Sequence, residues 1–217
     1  MQEVMLHRQT VKLFNNRQQM KNNTKKETRQ LVEGSKITSE NSRQIVGYAA
    51  VFDTWSQDLG GFIEQIDKRA FDGVVEKSDV MAVLNHNIER GLLARSKNGE
   101  GSLNLEVDEI GLKYTFEAPK TAIGDEVLEG VKRGDITASS FVFTVESDEW
   151  DFTKSPAQRT IKKVNLLFDI SPVYTPAYLD TTVAQRSIDT HKEETKINAQ
   201  AAQSEYRNRW LQIQNNL

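Results

Sequence analysis

The residues that build protein cores and turns are confined to one continuous part of this chain of 217 residues. Residues 44–185 contain 14 of the 17 aromatic residues, 11 of the 12 glycines and all four prolines. A segment of that length, about 140 residues, is long enough to bury a hydrophobic core. We therefore predict one folded domain over 44–185, flanked by an N-terminal extension (1–43) and a C-terminal extension (186–217).

The N-terminal extension differs from the domain in charge. Residues 1–43 carry nine Lys and Arg against four Asp and Glu, whereas the domain carries fourteen against twenty-three. This basic, Asn- and Gln-rich composition predicts a largely flexible arm. Nucleic-acid binding by the arm is not favoured, because Phe14 alone supplies an aromatic ring for base stacking.

The C-terminal extension has a helical pattern. Apolar residues recur at about the spacing of one helix face, namely Ile197, Ala201, Tyr206, Trp210, Ile213 and Leu217. We predict an amphipathic helix. It could pack on its own domain, or it could mediate self-association or docking on a larger assembly, and the sequence leaves these alternatives open.

Composition argues against several classes of protein. The absence of cysteine excludes disulfide scaffolds, thiolate metal sites and cysteine nucleophiles. With three histidines in the chain, a histidine-based metal site is hard to assemble, so we expect neither a metal nor a cofactor. No apolar run approaches the roughly 18 residues of a membrane span, so we expect a soluble, cytosolic protein with no membrane partner.

The domain shows the two-residue alternation of β-strands. Residues 103–107 and 112–116 alternate around an Asp-Glu-Ile-Gly turn, which predicts a hairpin. Composition and alternation predict further strands at 44–52, 62–66, 80–84, 137–145 and 160–168. Capping patterns predict two helices, one from Asp67 through Val75 and one from Thr121 to Arg133. The fold class is mainly β (α+β): a closed or nearly closed β-barrel with two or more peripheral helices, or alternatively a sandwich.

Three polar residues of the domain are candidates for chemistry. His86 is its one histidine, and a position just after an apolar strand would expose the imidazole as a general base. In the strand at 137–145, a period of two puts Ser139 on the aromatic face and Ser140 on the other. Asp169 ends an apolar run, where a carboxylate needs a partner.

Each candidate also has an ordinary structural interpretation. A histidine at a strand end is common in proteins without catalytic function, and both serines could simply begin a strand and bond nearby amides. Asp169 could cap a turn or pair with an arginine as readily as orient an imidazole. Residue chemistry alone therefore does not choose between these roles.

The predicted domain contains four sequence motifs in this order: GYAAVFD, LNHN, RGDITASSFVF and LLFDISPVYTPAY. Together they resemble the tailed-bacteriophage prohead serine protease family, a distant relative in fold of the herpesvirus assemblin proteases. The resemblance covers roughly residues 44–180. It implies a compact β-barrel with peripheral helices, a serine nucleophile on a barrel strand, and a role in clearing scaffold from an immature phage head.

Matched position by position, the family's histidine falls on His86, its nucleophile on Ser140 and its acid on Asp169. The family pattern Ser-Phe-Gly-Phe is Ser-Phe-Val-Phe here, with Val142 in place of the glycine. The strand-face argument and the resemblance choose Ser140 over Ser139 independently.

We accordingly expect a serine endopeptidase of phage head maturation, acting through Ser140, His86 and Asp169. Its expected partners are the scaffold, the scaffold-like extension of the major capsid protein, and the protease itself as a self-cleavage substrate. Its expected location is the assembling prohead in the host cytoplasm, with self-association through the C-terminal helix. The alternative is an inactive barrel that serves as a scaffold or capsid-assembly module.

Overall fold

A computed structural model of the chain describes residues 25–31 and 43–174, together with Gln200 and Ser204, both of which are helical. Most of the predicted flexible arm lies outside the described residues, as do the apolar residues of the predicted C-terminal helix. The domain limits at 44 and 185 stay predictions.

Residues 25–31 and 43–174 form ten strands and one α-helix, which give a mainly β fold. The helix, α1, spans Ala122–Arg133. The strands, in chain order, are β1 (Lys26–Leu31), β2 (Gln44–Val51), β3 (Phe62–Ile66), β4 (Asp79–Ala82), β5 (Ala94–Lys97), β6 (Glu100–Gly101), β7 (Leu103–Val107), β8 (Gly111–Glu117), β9 (Ala138–Asp151) and β10 (Ala157–Val173).

These strands pair into two sheets. One has seven strands in the order β1-β9-β10-β4-β5-β6, with β3 also paired to β10. The other has three strands in the order β2-β8-β7. The long antiparallel hairpin β9–β10 is the framework of the larger sheet, because β10 also pairs in parallel with β3 near one end and with β4 near the other.

The two sheets face each other across the hydrophobic core. Phe141 and Phe143, two residues apart on β9, are both buried and stack with ring centroids 4.8 Å apart. Tyr114 on β8 is fully buried, and its hydroxyl lies 2.9 Å from Ser139 Oγ on β9. Gly47 on β2 leaves the space for this ring, since an added Cβ would lie 2.6 Å from the Tyr114 hydroxyl.

Helix α1 begins and ends where the sequence predicts. The Thr121 hydroxyl accepts a hydrogen bond from the backbone N–H of Gly124, which is the expected N-cap contact. Gly134 ends the helix with a φ of 79°, a left-handed conformation that glycine adopts without strain. The buried face of the helix, including Val127 and Val131, packs on the core. No helix among the described residues is long and apolar enough to cross a membrane.

Two predictions about the fold differ from the structure. The closed barrel is not confirmed, because β2, β7 and β8 pair only with one another among the described strands. The predicted helix from Asp67 through Val75 is a series of turns followed by a short 3₁₀ helix at Val75–Lys77. Gly73, with a φ of 66°, interrupts any right-handed helix there. Alternation and capping identify elements, but they do not identify the partner of each strand.

Candidate active site

His86 lies in a tight turn directly after strand β4. Leu84–His86 is a short 3₁₀ helix in which Asn85 and His86 have φ values of 52° and 56°. This left-handed conformation is uncommon for residues other than glycine, although Asn and His adopt it more readily than most, and the surrounding contacts hold it in place. The backbone N–H of His86 donates to Ser171 Oγ at 3.1 Å, and the N–H of Tyr174 donates to Asn85 Oδ1 at 3.2 Å. Both contacts tie the turn to the end of β10.

Ser140 lies near the beginning of β9, on the face of the sheet opposite to Phe141. Ser139 points into the core toward Tyr114, so the two-residue alternation directs Ser140 to the other side. The sequence predicted an accessible hydroxyl, whereas Ser140 is buried, with 3% of its surface exposed. The ring of His86 lies beside its hydroxyl, and 27% of the His86 side chain is exposed to solvent.

An irregularity in β10 directs Asp169 to the same side. Leu167 pairs with Phe143 and Asp169 pairs with Val142, so Phe168 is an extra residue in β10. Such a bulge re-aims the following side chain. Asp169 Oδ1 lies 3.0 Å from His86 Nδ1.

The three candidate residues therefore lie in one line of hydrogen-bonding contacts. His86 Nε2 is 2.6 Å from Ser140 Oγ, and its other ring nitrogen faces the Asp169 carboxylate. A carboxylate beside Nδ1 holds the ring and stabilises its positive charge, while Nε2 can take a proton from the hydroxyl. We call these residues the serine–histidine–aspartate group. No cluster of three metal-ligating side chains occurs among the described residues.

Comparison with known proteins identifies the family of the chain. The sequence model of the caudovirus prohead serine protease family matches residues 30–194. The chain belongs to this family. The solved structure of the bacteriophage T4 capsid assembly protease, gp21, is similar with 12% sequence identity and a TM-score of 0.40, over 69% of this chain and 99% of that one. No curated protein matches the chain.

In this member of the prohead serine protease family, the Ser140 hydroxyl has a second neighbour that the sequence did not predict. It lies 3.0 Å from the backbone carbonyl oxygen of Arg29 on β1. A hydroxyl has one proton, so Ser140 can donate to Arg29 or to His86 Nε2, but not fully to both. When it donates to Arg29, the imidazole must supply the proton of the 2.6 Å contact, and that arrangement is not reactive.

A second unpredicted residue is Ser171. Its hydroxyl donates to Asp169 Oδ1 at 2.6 Å and lies 3.1 Å from His86 Nδ1. The signal in the sequence is its spacing: two residues after Asp169 on one strand, Ser171 shares the same face. The pattern Asp-Ile-Ser was visible, but nothing in it distinguished a hydroxyl that contacts the imidazole from an ordinary strand serine.

A group of charged side chains, of which Glu27, Glu64 and Arg159 are buried, lies on the opposite face of β1 and β9. Arg29 bonds Glu64 with both its Nε and Nη2 and Glu27 with Nη2, while Arg159 bonds Glu27, Glu64 and Asp148. Burial by itself would raise the pKa of the Glu27 carboxyl, but Arg159 and Arg29 outweigh it and lower that pKa to about 2. We call these five residues the charge cluster. It attaches β1, which lies within the predicted N-terminal extension, to the domain.

Proposed function

We propose that this protein is a serine endopeptidase of phage head maturation that uses Ser140 as nucleophile, His86 as general base and acid, and Asp169 to orient the imidazole. The observation that carries the proposal is the distance of 2.6 Å between His86 Nε2 and Ser140 Oγ, with Asp169 on the other ring nitrogen. Membership of a serine protease family supports the same chemistry.

The proposed reaction has two steps. Ser140 Oγ forms a bond to the carbonyl carbon of a peptide while its proton passes to His86 Nε2. His86 then gives that proton to the leaving amine as the peptide C–N bond breaks. In the second step a water molecule loses a proton to His86 and bonds to the carbonyl carbon of the acyl-enzyme ester. The bond between that carbon and Ser140 Oγ then breaks, His86 returns the proton to Ser140 Oγ, and the carboxylic acid product leaves. Asp169 remains ionised throughout and stabilises the imidazolium.

The proposed substrates are the scaffold and the scaffold-like extension of the major capsid protein inside the assembling prohead. Self-cleavage within the two extensions belongs to the same proposal, as does self-association through the C-terminal helix. The family is described as that of caudovirus prohead serine proteases, which agrees with a substrate in the phage head.

The test compares two neighbouring serines. Ser140→Ala should abolish cleavage of the co-expressed capsid and scaffold proteins, whereas Ser139→Ala should keep it, because Ser139 contacts only the core. Labelling by a fluorophosphonate, read by intact mass, should add one adduct to the wild type and none to Ser140→Ala. Full activity in Ser140→Ala with loss in Ser139→Ala would overturn the choice of nucleophile. If the wild type shows no cleavage and no labelling, an inactive capsid-assembly module is favoured instead.

A further inference from the structure

We propose that Ser171 is a positioning residue that keeps the proton of the neutral His86 ring on Nδ1, so that Nε2 is free to accept the proton of Ser140. This inference rests on the proposed function, because it assigns a role within the same site. It concerns a residue that has no part in the serine–histidine–aspartate group itself.

The strand pairing puts Ser171 where it can do this. Ser171 stands directly opposite Ser140 in the pairing of β9 with β10, so the two side chains share one face of the sheet. Its exposed fraction is 0%, so water does not compete for its hydrogen bonds. Three polar atoms surround its hydroxyl oxygen: Asp169 Oδ1 at 2.6 Å, the His86 backbone nitrogen at 3.1 Å and His86 Nδ1 at 3.1 Å.

The direction of each bond follows from counting protons. The backbone N–H of His86 can only donate, so Ser171 Oγ accepts there. The contact of 2.6 Å between Ser171 Oγ and Asp169 Oδ1 joins two oxygens and needs a proton between them. An ionised carboxylate has none, so the one hydroxyl proton of Ser171 points to Asp169.

This arrangement decides where the imidazole proton resides. With its proton directed at Asp169, Ser171 presents a lone pair to His86 Nδ1, and so does Asp169 Oδ1 at 3.0 Å. A bare Nδ1 would face two oxygen lone pairs, whereas a protonated Nδ1 donates to both. Nε2 is then the acceptor that faces Ser140. In the opposite tautomer, Nε2–H would donate to Ser140 Oγ, and the Ser140 hydroxyl would donate its proton to the Arg29 carbonyl oxygen. This is the unreactive arrangement.

The first arm of the test measures the reactivity of Ser140 without a natural substrate. In labelling by a fluorophosphonate, Ser140 Oγ bonds to phosphorus, fluoride leaves, and the hydroxyl proton passes to His86 Nε2. Ser171→Ala should slow labelling by about 10- to 100-fold, as loss of outer hydrogen-bond partners does at other sites. Ser171→Thr keeps the hydroxyl and should restore most of the rate.

Ser78→Ala is the matched control. Ser78 is equally buried and also bonds β10, since its Oγ donates to the Val74 carbonyl and accepts from the N–H of Leu167. Its hydroxyl has no bond to the serine–histidine–aspartate group, so the labelling rate should stay that of the wild type. If Ser171→Ala does not fold, Ser171→Cys keeps the volume and replaces the hydroxyl by a weak donor.

The second arm observes the tautomer itself. Nitrogen-15 NMR distinguishes a protonated ring nitrogen from a bare one, and His7→Gln with His191→Gln leaves His86 as the single imidazole. Under alkaline conditions, the wild type should show the proton on Nδ1, and Ser171→Ala should show a larger share on Nε2. Ser171→Thr should resemble the wild type.

The outcomes separate the two proposals. Wild-type labelling and an unchanged NMR spectrum in Ser171→Ala would overturn the role of Ser171. An equal loss of labelling in Ser171→Ala and Ser78→Ala, with no change of tautomer, would also overturn it, because the effect would then be structural. A wild type that neither cleaves the capsid and scaffold proteins nor is labelled would overturn the proposed function, while the NMR arm would still decide the role of Ser171.

Discussion

Two polar groups occupy opposite faces of the same strands, and they differ in how water reaches them. In the serine–histidine–aspartate group, 27% of the His86 side chain and 14% of the Asp169 side chain are exposed. In the charge cluster, the arginine and glutamate side chains are exposed by only 3% to 11%, and Asp148 at the edge of the cluster by 25%. Buried charges must keep their partners permanently, whereas a group that transfers protons needs one side open. The charge cluster on one face therefore stabilises the fold, and the serine–histidine–aspartate group on the other face is suited to proton transfer.

Strand β1 connects the two groups. Its side chains at Glu27 and Arg29 belong to the charge cluster, and the backbone carbonyl of Arg29 contacts Ser140. The cluster therefore fixes the strand that competes with His86 for the Ser140 proton. If the comparison holds, changes in the serine–histidine–aspartate group should reduce activity without loss of stability, and changes in the charge cluster should mainly reduce stability.

The largest effect is expected from His86→Asn. Asparagine tolerates the left-handed backbone at this position, where φ is 56°, but its amide cannot act as a base. Cleavage and fluorophosphonate labelling should fall by about 10⁶-fold. Thermal unfolding should stay close to that of the wild type.

The double variant tests whether Ser140 and His86 act together. Ser140→Ala combined with His86→Asn should lose little more activity than either change alone, because the two residues act as a unit. Losses that multiply would mean that His86 and Ser140 contribute independently, and the proposed proton transfer between them would be wrong.

A smaller loss is expected from Asp169→Asn. The amide keeps the size of the side chain but cannot stabilise the imidazolium, and its NH₂ group can favour the wrong tautomer. We expect activity about 10⁴-fold below that of the wild type, a severe but incomplete loss. Steady-state cleavage of the capsid or scaffold protein measures it. A wild-type rate would remove Asp169 from the mechanism.

The sequence predicted several elements of the fold well, because each has a local signal. The hairpin at 103–116, the helix with its caps, and the strand faces around Ser139 and Ser140 follow from alternation and capping. The convergence of His86, Ser140 and Asp169 does not follow from alternation, since it depends on the pairing of β4, β9 and β10 and on the bulge at Phe168. The resemblance to a family supplied that link.

Strand β1 had no such signal. Its inward residues, Glu27 and Arg29, are charged, so the apolar alternation that marks a buried strand face is missing. Their partners Glu64 and Arg159 are distant in sequence and approach only in the folded sheet. A sequence that buries paired charges looks like a flexible arm until the pairing is known, and the predicted extension at 1–43 included this strand for that reason.

The charge cluster should govern stability. Arg159→Met removes a guanidinium that bonds two buried carboxylates, Glu27 and Glu64, and it leaves them with Arg29 as their remaining partner in the charge cluster. We expect a loss of about 3–5 kcal/mol in the free energy of unfolding, measured by urea denaturation. Arg133→Met is the control, because its ion pair with Asp135 is largely exposed and should contribute little. An equal effect of both changes would contradict a special role for the charge cluster.

The smallest effect is the dependence of stability on acid. The pKa of Glu27 is about 2 in the folded protein against an ordinary value of 4.5, so between these values the unfolded chain binds a proton that the folded protein does not. The contribution of Glu27, on the order of 3 kcal/mol, is complete above pH 4.5 and is lost as the pH falls toward 2.

Glu27→Gln should therefore be less stable at pH 7 and should lose less stability than the wild type between pH 5 and pH 3. Glu129→Gln, at an exposed position of α1, should keep the acid dependence of the wild type. The free energy of unfolding of all three proteins is measured by urea denaturation at each pH. If it changes equally with pH in all three, Glu27 is not held ionised by Arg159 and Arg29, and the two faces of the sheet do not differ as described.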